Sequence, residues 1–226
     1  MQGMTLPTHS WDLSPRDGIA LQRKLAGSVR ETVLTGRVTT VAGVDVGLKG
    51  DMAVAAVLML TYPGLEAISS AVACRRITFP YIPGLLSFRE GPVVMDAIGK
   101  LSRKPDLFIF DGQGHAHPRR LGIACHIGVL TGIPAIGCAK SRLCGTYQMP
   151  GTDKGCRSPL MDDGNVIGTV LRTRSGVKPV FVSVGHLIDL NGCIEFVLAC
   201  CTKYRLPEPT RLAHHLAARE KGRIGS

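Results

Sequence analysis

The chain has 226 residues, 45% of them hydrophobic, which is enough to bury one substantial core, so a single domain over 1–226 is expected. Lys and Arg number 27 against 17 Asp and Glu, a net charge of +10 with a pI near 9.5, and such a balance points to an anionic partner, most commonly nucleic acid. The longest apolar run, Ala53 to Leu60, is too short to cross a bilayer, and the 8 cysteines show no C-x-x-C pair and no zinc-ligand spacing. A soluble, cytoplasmic, monomeric protein with buried reduced thiols is expected, without membrane contact.

Residues 1–13 show no periodicity and are expected to be loose. Ser14-Pro15 followed by Asp17 is a helix start, with a capping hydroxyl, proline in the first turn and a reciprocal acid. Leu21, Leu25, Val29 and Val33 recur at i+4 and extend the predicted N-terminal helix over 14–34. Val41 to Val46 reads as a strand ending at the lone acid Asp45. Ala53 to Tyr62 and Glu66 to Thr78 follow as two more strands, with short turns between them. Pro80-Tyr81-Ile82-Pro83-Gly84 breaks this meander, and Ser87 to Ser102 reads as a helix.

Leu107 to Phe110 is a short apolar run of the kind a fully buried strand shows, stopping at Asp111. Gly112 and Gly114 follow, then His115, His117, Pro118 and two arginines. Pro118 to Thr131 is predicted helical and Ala135 to Cys138 a strand. Beyond that the pattern weakens. Val166 to Arg172 and Val180 to Val184 are expected strands, Ile188 to Cys201 and Arg211 to Glu220 expected helices, and 151–158 a polar loop without an assigned role. Basic residues recur in pairs (Arg75-Arg76, Arg119-Arg120, Lys140/Arg142, Arg172/Arg174) and form no tail, which points to a folded basic face.

Short links make the first three strands antiparallel, whereas a helical crossover must return to a parallel partner. The Leu107 strand is therefore expected beside and parallel to the Val41 strand. Asp45 and Asp111 then end neighbouring strands about 4.8 Å apart. Two carboxylates so close repel unless a cation lies between them, so topology alone points to a metal site.

The segments VAGVDVG, PYIPGLLSFRE, PDLFIFDGQGHAHPRRLGIA, IGCAKSRLCG and YRLPEPTR closely resemble the endonuclease V family, the deoxyinosine 3′ endonucleases, in order from about Trp11 to Arg219. The resemblance implies a ribonuclease H-like α/β fold with a central mixed β-sheet flanked by helices. It also implies Mg2+-dependent DNA repair, Mn2+ substituting, by hydrolysis of the second phosphodiester bond 3′ to deoxyinosine. An inosine-specific endoribonuclease and a non-catalytic nucleic-acid-binding module are the alternative readings.

On that resemblance Asp45 and Asp111 match the family's metal-binding aspartates. Glu90 matches its third acid, to complete the metal shell or orient water. Lys140 fits the lysine near the scissile phosphate, as a stabilising charge or as a plain phosphate contact. His117 belongs to the lesion end of the site. His214 stands where relatives carry a residue reaching the metal through water, and the adjacent His215 leaves open which one faces inward. Pro80, Tyr81, Ile82 and Pro83 form a stiff wedge for insertion between bases, or a plain turn into the helix. Gly84 and Gly112 let backbone approach the extruded base. His115 lies where relatives have an apolar residue, and no role is assigned to it.

Overall fold

The computed structural model describes residues 6–224. The first helix, α1 (Pro15–Ala26), begins as expected: the Ser14 hydroxyl accepts from the Asp17 amide at 3.2 Å and donates to its carboxylate at 2.6 Å. It ends at Gly27, well short of residue 34. Gly27 and Ser28 are weak helix formers, and beyond them Arg30 is held by tertiary bonds to His186 and Leu187. The apolar stripe still works in part: Leu21, Leu25 and Val29 pack on Leu121, Cys125 and Val129, whereas Val33 is 67% exposed.

Residues 6–13 are not loose, which corrects the sequence reading; residues 1–5 lie outside the described residues. His9 meets His126, Nε2 to Nε2, at 2.7 Å, and the Trp11 ring lies against Gly91, Phe88 and His126. Aperiodic segments give no amphipathic signal even when aromatic side chains dock them.

The strands are β1 (Thr40–Lys49), β2 (Met52–Thr61), β3 (Ala67–Arg76), β4 (Leu107–Phe110), β5 (Ala135–Ala139), β6 (Arg157–Asp162), β7 (Asn165–Leu171) and β8 (Val180–His186). They form one eight-stranded sheet among the described residues, in the order β3-β2-β1-β4-β5-β8-β7-β6. The expected meander is present, and β4 runs parallel to β1 and to β5, the remaining pairs being antiparallel. Strand β6 lies partly in the stretch expected to be loop. Asp163 and Gly164, both at positive φ, close a two-residue hairpin from Asp162 to Asn165, and this Asp-Gly pair was the sequence signal for it.

Four further helices complete the fold: α2 (Leu86–Gly99), α3 (Ile123–Thr131), α4 (Leu190–Cys200) and α5 (Glu208–Gly222). Side chains alternate across the central strands. Ala42, Val44, Phe108 and Phe110 face α2 and α3; Val41, Leu107 and Ile109 face the layer containing α4 and α5. Each of these large side chains is fully buried and stabilises the fold by roughly 1.5–3 kcal/mol. Helix α3 starts five residues later than expected. The 118–122 turn is held instead by tertiary bonds, with Arg120 at positive φ and Gly122 donating to Gly114. This eight-stranded mixed sheet flanked by helices is the ribonuclease H-like α/β class.

Gly43 shows how tightly α5 lies on β1: a Cβ there would stand 2.0 Å from the Pro209 carbonyl. At the base of the same strand pair, one Asp106 oxygen accepts from the amides and hydroxyls of Thr39 and Thr40 at 2.8–3.1 Å. Burial works against that carboxylate's charge, and the four donors hold it below the usual range. Thr40 and Asp106 are thereby pinned level, so the residues five further along each strand, Asp45 and Asp111, arrive level too.

Candidate active site

The pairing runs Val44 to Phe110, and the Asp111 amide donates to the Val44 carbonyl at 3.1 Å, so Asp45 and Asp111 are the next step of the same register. Both have the parity of the residues facing α5. His214, on α5, puts Nδ1 2.9 Å from Asp45 Oδ2, although its side chain, like that of His215, remains largely exposed. Lys140, directly after β5, ion-pairs through Nζ with Asp111. The two carboxylate side chains are only 10% exposed, which deprives them of water.

Two of the three acids of this cluster, Asp45 and Glu90, are held toward their neutral forms. Burial, then the neighbouring Asp111, raises the Asp45 carboxyl above its ordinary value, against the bond from His214. Glu90, on the first turns of α2, is pushed up to about 8 by burial and then by Asp45, with Arg89 opposing and Asp111 adding to the rise. Glu90 therefore stands close enough to feel both aspartates. Among the described residues no group of three or more His, Cys, Asp or Glu forms a ready cage for a metal ion. The donor set is nevertheless that of a hard cation held by one or two carboxylates, with its remaining positions left to water and phosphate.

A cavity of about 350 Å³ opens beside Asp111. Its walls include Tyr81, Ile82, Pro83 and Gly84 on one side and Asp111, Gly112, Lys140 and Leu143 on the other. Tyr81 is 70% exposed at its mouth, while Ile82 is anchored on Phe79, Leu85 and Phe88. The Leu85 amide donates to Ile82 at 2.9 Å and Arg89 Nη1 donates to the Phe79 carbonyl at 2.9 Å, so the segment is tied at both ends. Gly84 has φ +78, a conformation L side chains rarely adopt.

His117 lines the cavity, but both ring nitrogens are spent inside the protein. Nε2 donates to Gly84 O at 2.9 Å and Nδ1 accepts from the Arg119 amide at 3.1 Å, which fixes the neutral tautomer. Burial pushes this imidazole down to about 4. His115 lies elsewhere, in a small separate cavity with Glu31, Val166 and Leu190.

The paired basic residues do not make a free cationic face in the simple way their spacing suggested. Arg75 and Arg76 are paired with Asp96 and Asp51. Arg172 is buried and braces the 150–177 loops through the carbonyls of Pro150, Gly151 and Val177. Arg119 turns inward to Gln22 and Gly84. Long side chains on a strand or turn can face either way, and sequence spacing does not say which.

Sequence reasoning passed over three residues that support the site. Arg205 Nη2 donates to the backbone carbonyls of Lys140 at 2.8 Å and Pro179 at 2.7 Å, steadying the loop that carries the lysine; its place in YRLPEPTR was the available signal. Gln22 is 1% exposed on α1, and a polar residue on that helix's buried face, between Gly18 and Leu25, was the clue. Asp106 stands at the start of the segment PDLFIFDGQGHAHPRRLGIA, and that place was its only signal, since nothing local marks it as a partner of Thr39 and Thr40.

Comparison with known proteins agrees with this geometry. The sequence model of Endonuclease V matches residues 23–215. An Endonuclease V of Roseiflexus sp. (strain RS-1) is 52% identical over 214 residues, covering 95% of this chain and 96% of the relative. The crystal structure of Endonuclease V from Streptomyces avermitilis superposes with a TM-score of 0.91 at 42% identity, over 96% of this chain and 97% of that one. Ciona intestinalis Endonuclease V, solved in complex with a 24mer DNA containing an inosine followed by a ribo-adenosine, has a TM-score of 0.80 at 25% identity, over 92% of this chain and 98% of that one. No helix among the described residues is long and apolar enough to cross a membrane. With half-identical relatives along nearly its whole length and the paired aspartates in register, this chain belongs to the endonuclease V family of nucleases.

Proposed function

We propose that the protein is a Mg2+-dependent repair endonuclease that recognises deoxyinosine in DNA and hydrolyses the second phosphodiester bond on its 3′ side, with Mn2+ able to replace Mg2+. The observation that carries the reading is the juxtaposition of Asp45, within β1, and Asp111, just past the end of β4 and one step beyond the parallel Val44–Phe110 register, with the raised carboxyl of Glu90 near them. Asp45 and Asp111 would hold the cation, and Mg2+ bound there supplies charge neutralisation at the scissile phosphate.

The chain's own groups provide the rest. Glu90, within electrostatic reach of both aspartates, is placed to complete the metal shell or to orient the attacking water. Lys140 Nζ, already aimed at the cluster through Asp111, stabilises negative charge as it grows on the phosphate oxygens. His214 orients the Asp45 carboxylate through Nδ1. The cavity beside Asp111 is within the size range of small-ligand sites and would take the extruded base, while the Pro80–Pro83 segment fills the gap in the stack.

The test is nicking of a duplex carrying one inosine, beside an undamaged duplex, with Mg2+ and with chelator. A single nick at the second 3′ phosphodiester, dependent on both inosine and metal, is expected; equal cutting of both duplexes, or none, refutes the reading. A second reading, cleavage of inosine-containing RNA, is favoured by the ribo-adenosine that follows inosine in the Ciona complex. Comparing deoxyribose and ribose at the residue 3′ to the same inosine separates the two.

A further inference from the structure

The carbonyl of Gly84, at the inner end of the wedge, accepts three hydrogen bonds. They come from His117 Nε2 at 2.9 Å, Arg119 Nη2 at 2.6 Å and Gln22 Nε2 at 2.9 Å. A carbonyl oxygen has two lone pairs, so three donors, one of them a guanidinium, are an unusual concentration on a single peptide. Gln22 is the member that joins the others. Its Nε2 also donates to Leu121 O at 3.2 Å, and its Oε1 accepts from Arg119 Nε at 2.5 Å. Its amide is 1% exposed, and its orientation is fixed because a flipped amide would face two carbonyls and a guanidinium with the wrong groups.

The geometry points to Gln22 as a positioning residue for lesion recognition, acting through Gly84 to hold the wedge and the adjoining cavity wall in one place. This rests on the reading of that cavity as the pocket for the extruded base. Gln22 is not itself a base contact, since both its donors and its acceptor are spent inside the protein. Its effect must pass through the backbone. A segment that replaces a base in the stack keeps extrusion favourable only if it does not move itself when the base leaves. Release of one of three donors leaves a buried carboxamide gap beside Arg119, whose side chain would then be free to leave Gly84 as well. The inserted element would then be held on the cavity side by His117 alone, while Arg89 still held its far end at Phe79.

Two measurements test this. The first needs neither metal nor DNA: hydrogen exchange at the Leu85 amide, which bonds to Ile82 O within the wedge. Gln22→Ala should speed that exchange by about tenfold or more through local opening. Gln22→Met, which keeps the volume, should do the same and serves if the alanine variant fails to fold. Leu25→Ala, on the same helix, removes packing against Leu121 but none of the hydrogen bonds at Gly84, so it should destabilise the protein without moving this amide selectively. The second is the ratio of single-turnover nicking on duplex inosine to that on single-stranded inosine. It should fall several-fold in the Gln22 variants, because only the duplex requires extrusion, and stay unchanged in Leu25→Ala. Exchange at Leu85 indistinguishable from wild type in both Gln22 variants overturns the inference, as does an equal fall in the ratio for Leu25→Ala. Failure of the wild-type protein to nick inosine DNA would refute the proposed function and leave the exchange result standing.

Discussion

Acid should unfold this protein through its buried histidines, His126 first among them. His126 on α3 is fully buried, with Nδ1 2.9 Å from the Ser87 hydroxyl, Nε2 2.7 Å from His9, and Trp11 and Phe88 around its ring. Burial, and then the proximity of His9, hold this imidazole down to about 3. In an unfolded chain it would protonate near 6.5. The folded value is the lower one, so below pH 6.5 the unfolded chain takes up a proton that the folded chain refuses. The stability is whole above about 6.5 and drains as the pH falls toward 3. Between pH 6.5 and 4.5 the loss from this one group is about 2 kcal/mol. His117 and His186, each held down to about 4 chiefly by burial, contribute similar losses. Together the three would remove roughly 6 kcal/mol, against a typical total of about 5–15 kcal/mol. Urea unfolding at a series of pH values measures this, with the m-value checked for constancy. His126→Asn should be less stable at pH 7.5 through lost ring contacts. Its curve of stability against pH should nevertheless be flatter than wild type by about 2 kcal/mol between pH 6.5 and 4.5. Parallel curves would show that His126 is not neutral in the folded state and sink the argument.

Asp45→Asn and Asp111→Asn should each abolish nicking while binding to inosine DNA survives, since lost repulsion offsets lost metal contacts; cleavage by either within about tenfold of wild type would remove the two-aspartate site. Arg205→Ala should slow single-turnover nicking in the manner of Lys140→Ala, but by less, with DNA affinity little changed, because it frees the Lys140 carbonyl rather than removing the charge; a loss confined to affinity would contradict that. Tyr81→Ala should reduce nicking of duplex inosine more than of single-stranded inosine, and a proportional loss on both would make the tyrosine a mere wall of the pocket. Gly43→Ala, whose Cβ would collide with the start of α5, should lower Tm by several degrees and weaken the His214–Asp45 bond, so normal stability in this variant would refute the packing described.

The sequence by itself determined the order of the central elements and the pair of acids. Asp45 and Asp111 each follow an apolar run too short to be anything but a strand, and the length of the connection between those runs decides parallel against antiparallel. Those are local and near-local properties, written in periodicity and turn chemistry. What only the tertiary structure decided depends on contacts between residues far apart in the chain. Helix α1 stops at Gly27 because Arg30 finds partners more than 150 residues away, and the 118–122 turn stays out of α3 because His117 and Arg119 reach back to Gly84. The choice of His214 over His215 needed the docking of α5 on β1, since adjacent helical residues differ by about 100° and nothing local says which one faces the sheet. Arg172 and Arg119 counted toward a basic surface until their guanidinium groups were found bonded to buried carbonyls. Asp106, which sets the acids level, is one carboxylate among many in the sequence. Its four donors come from Thr39 and Thr40, some 66 residues earlier, and only folding brings them to it.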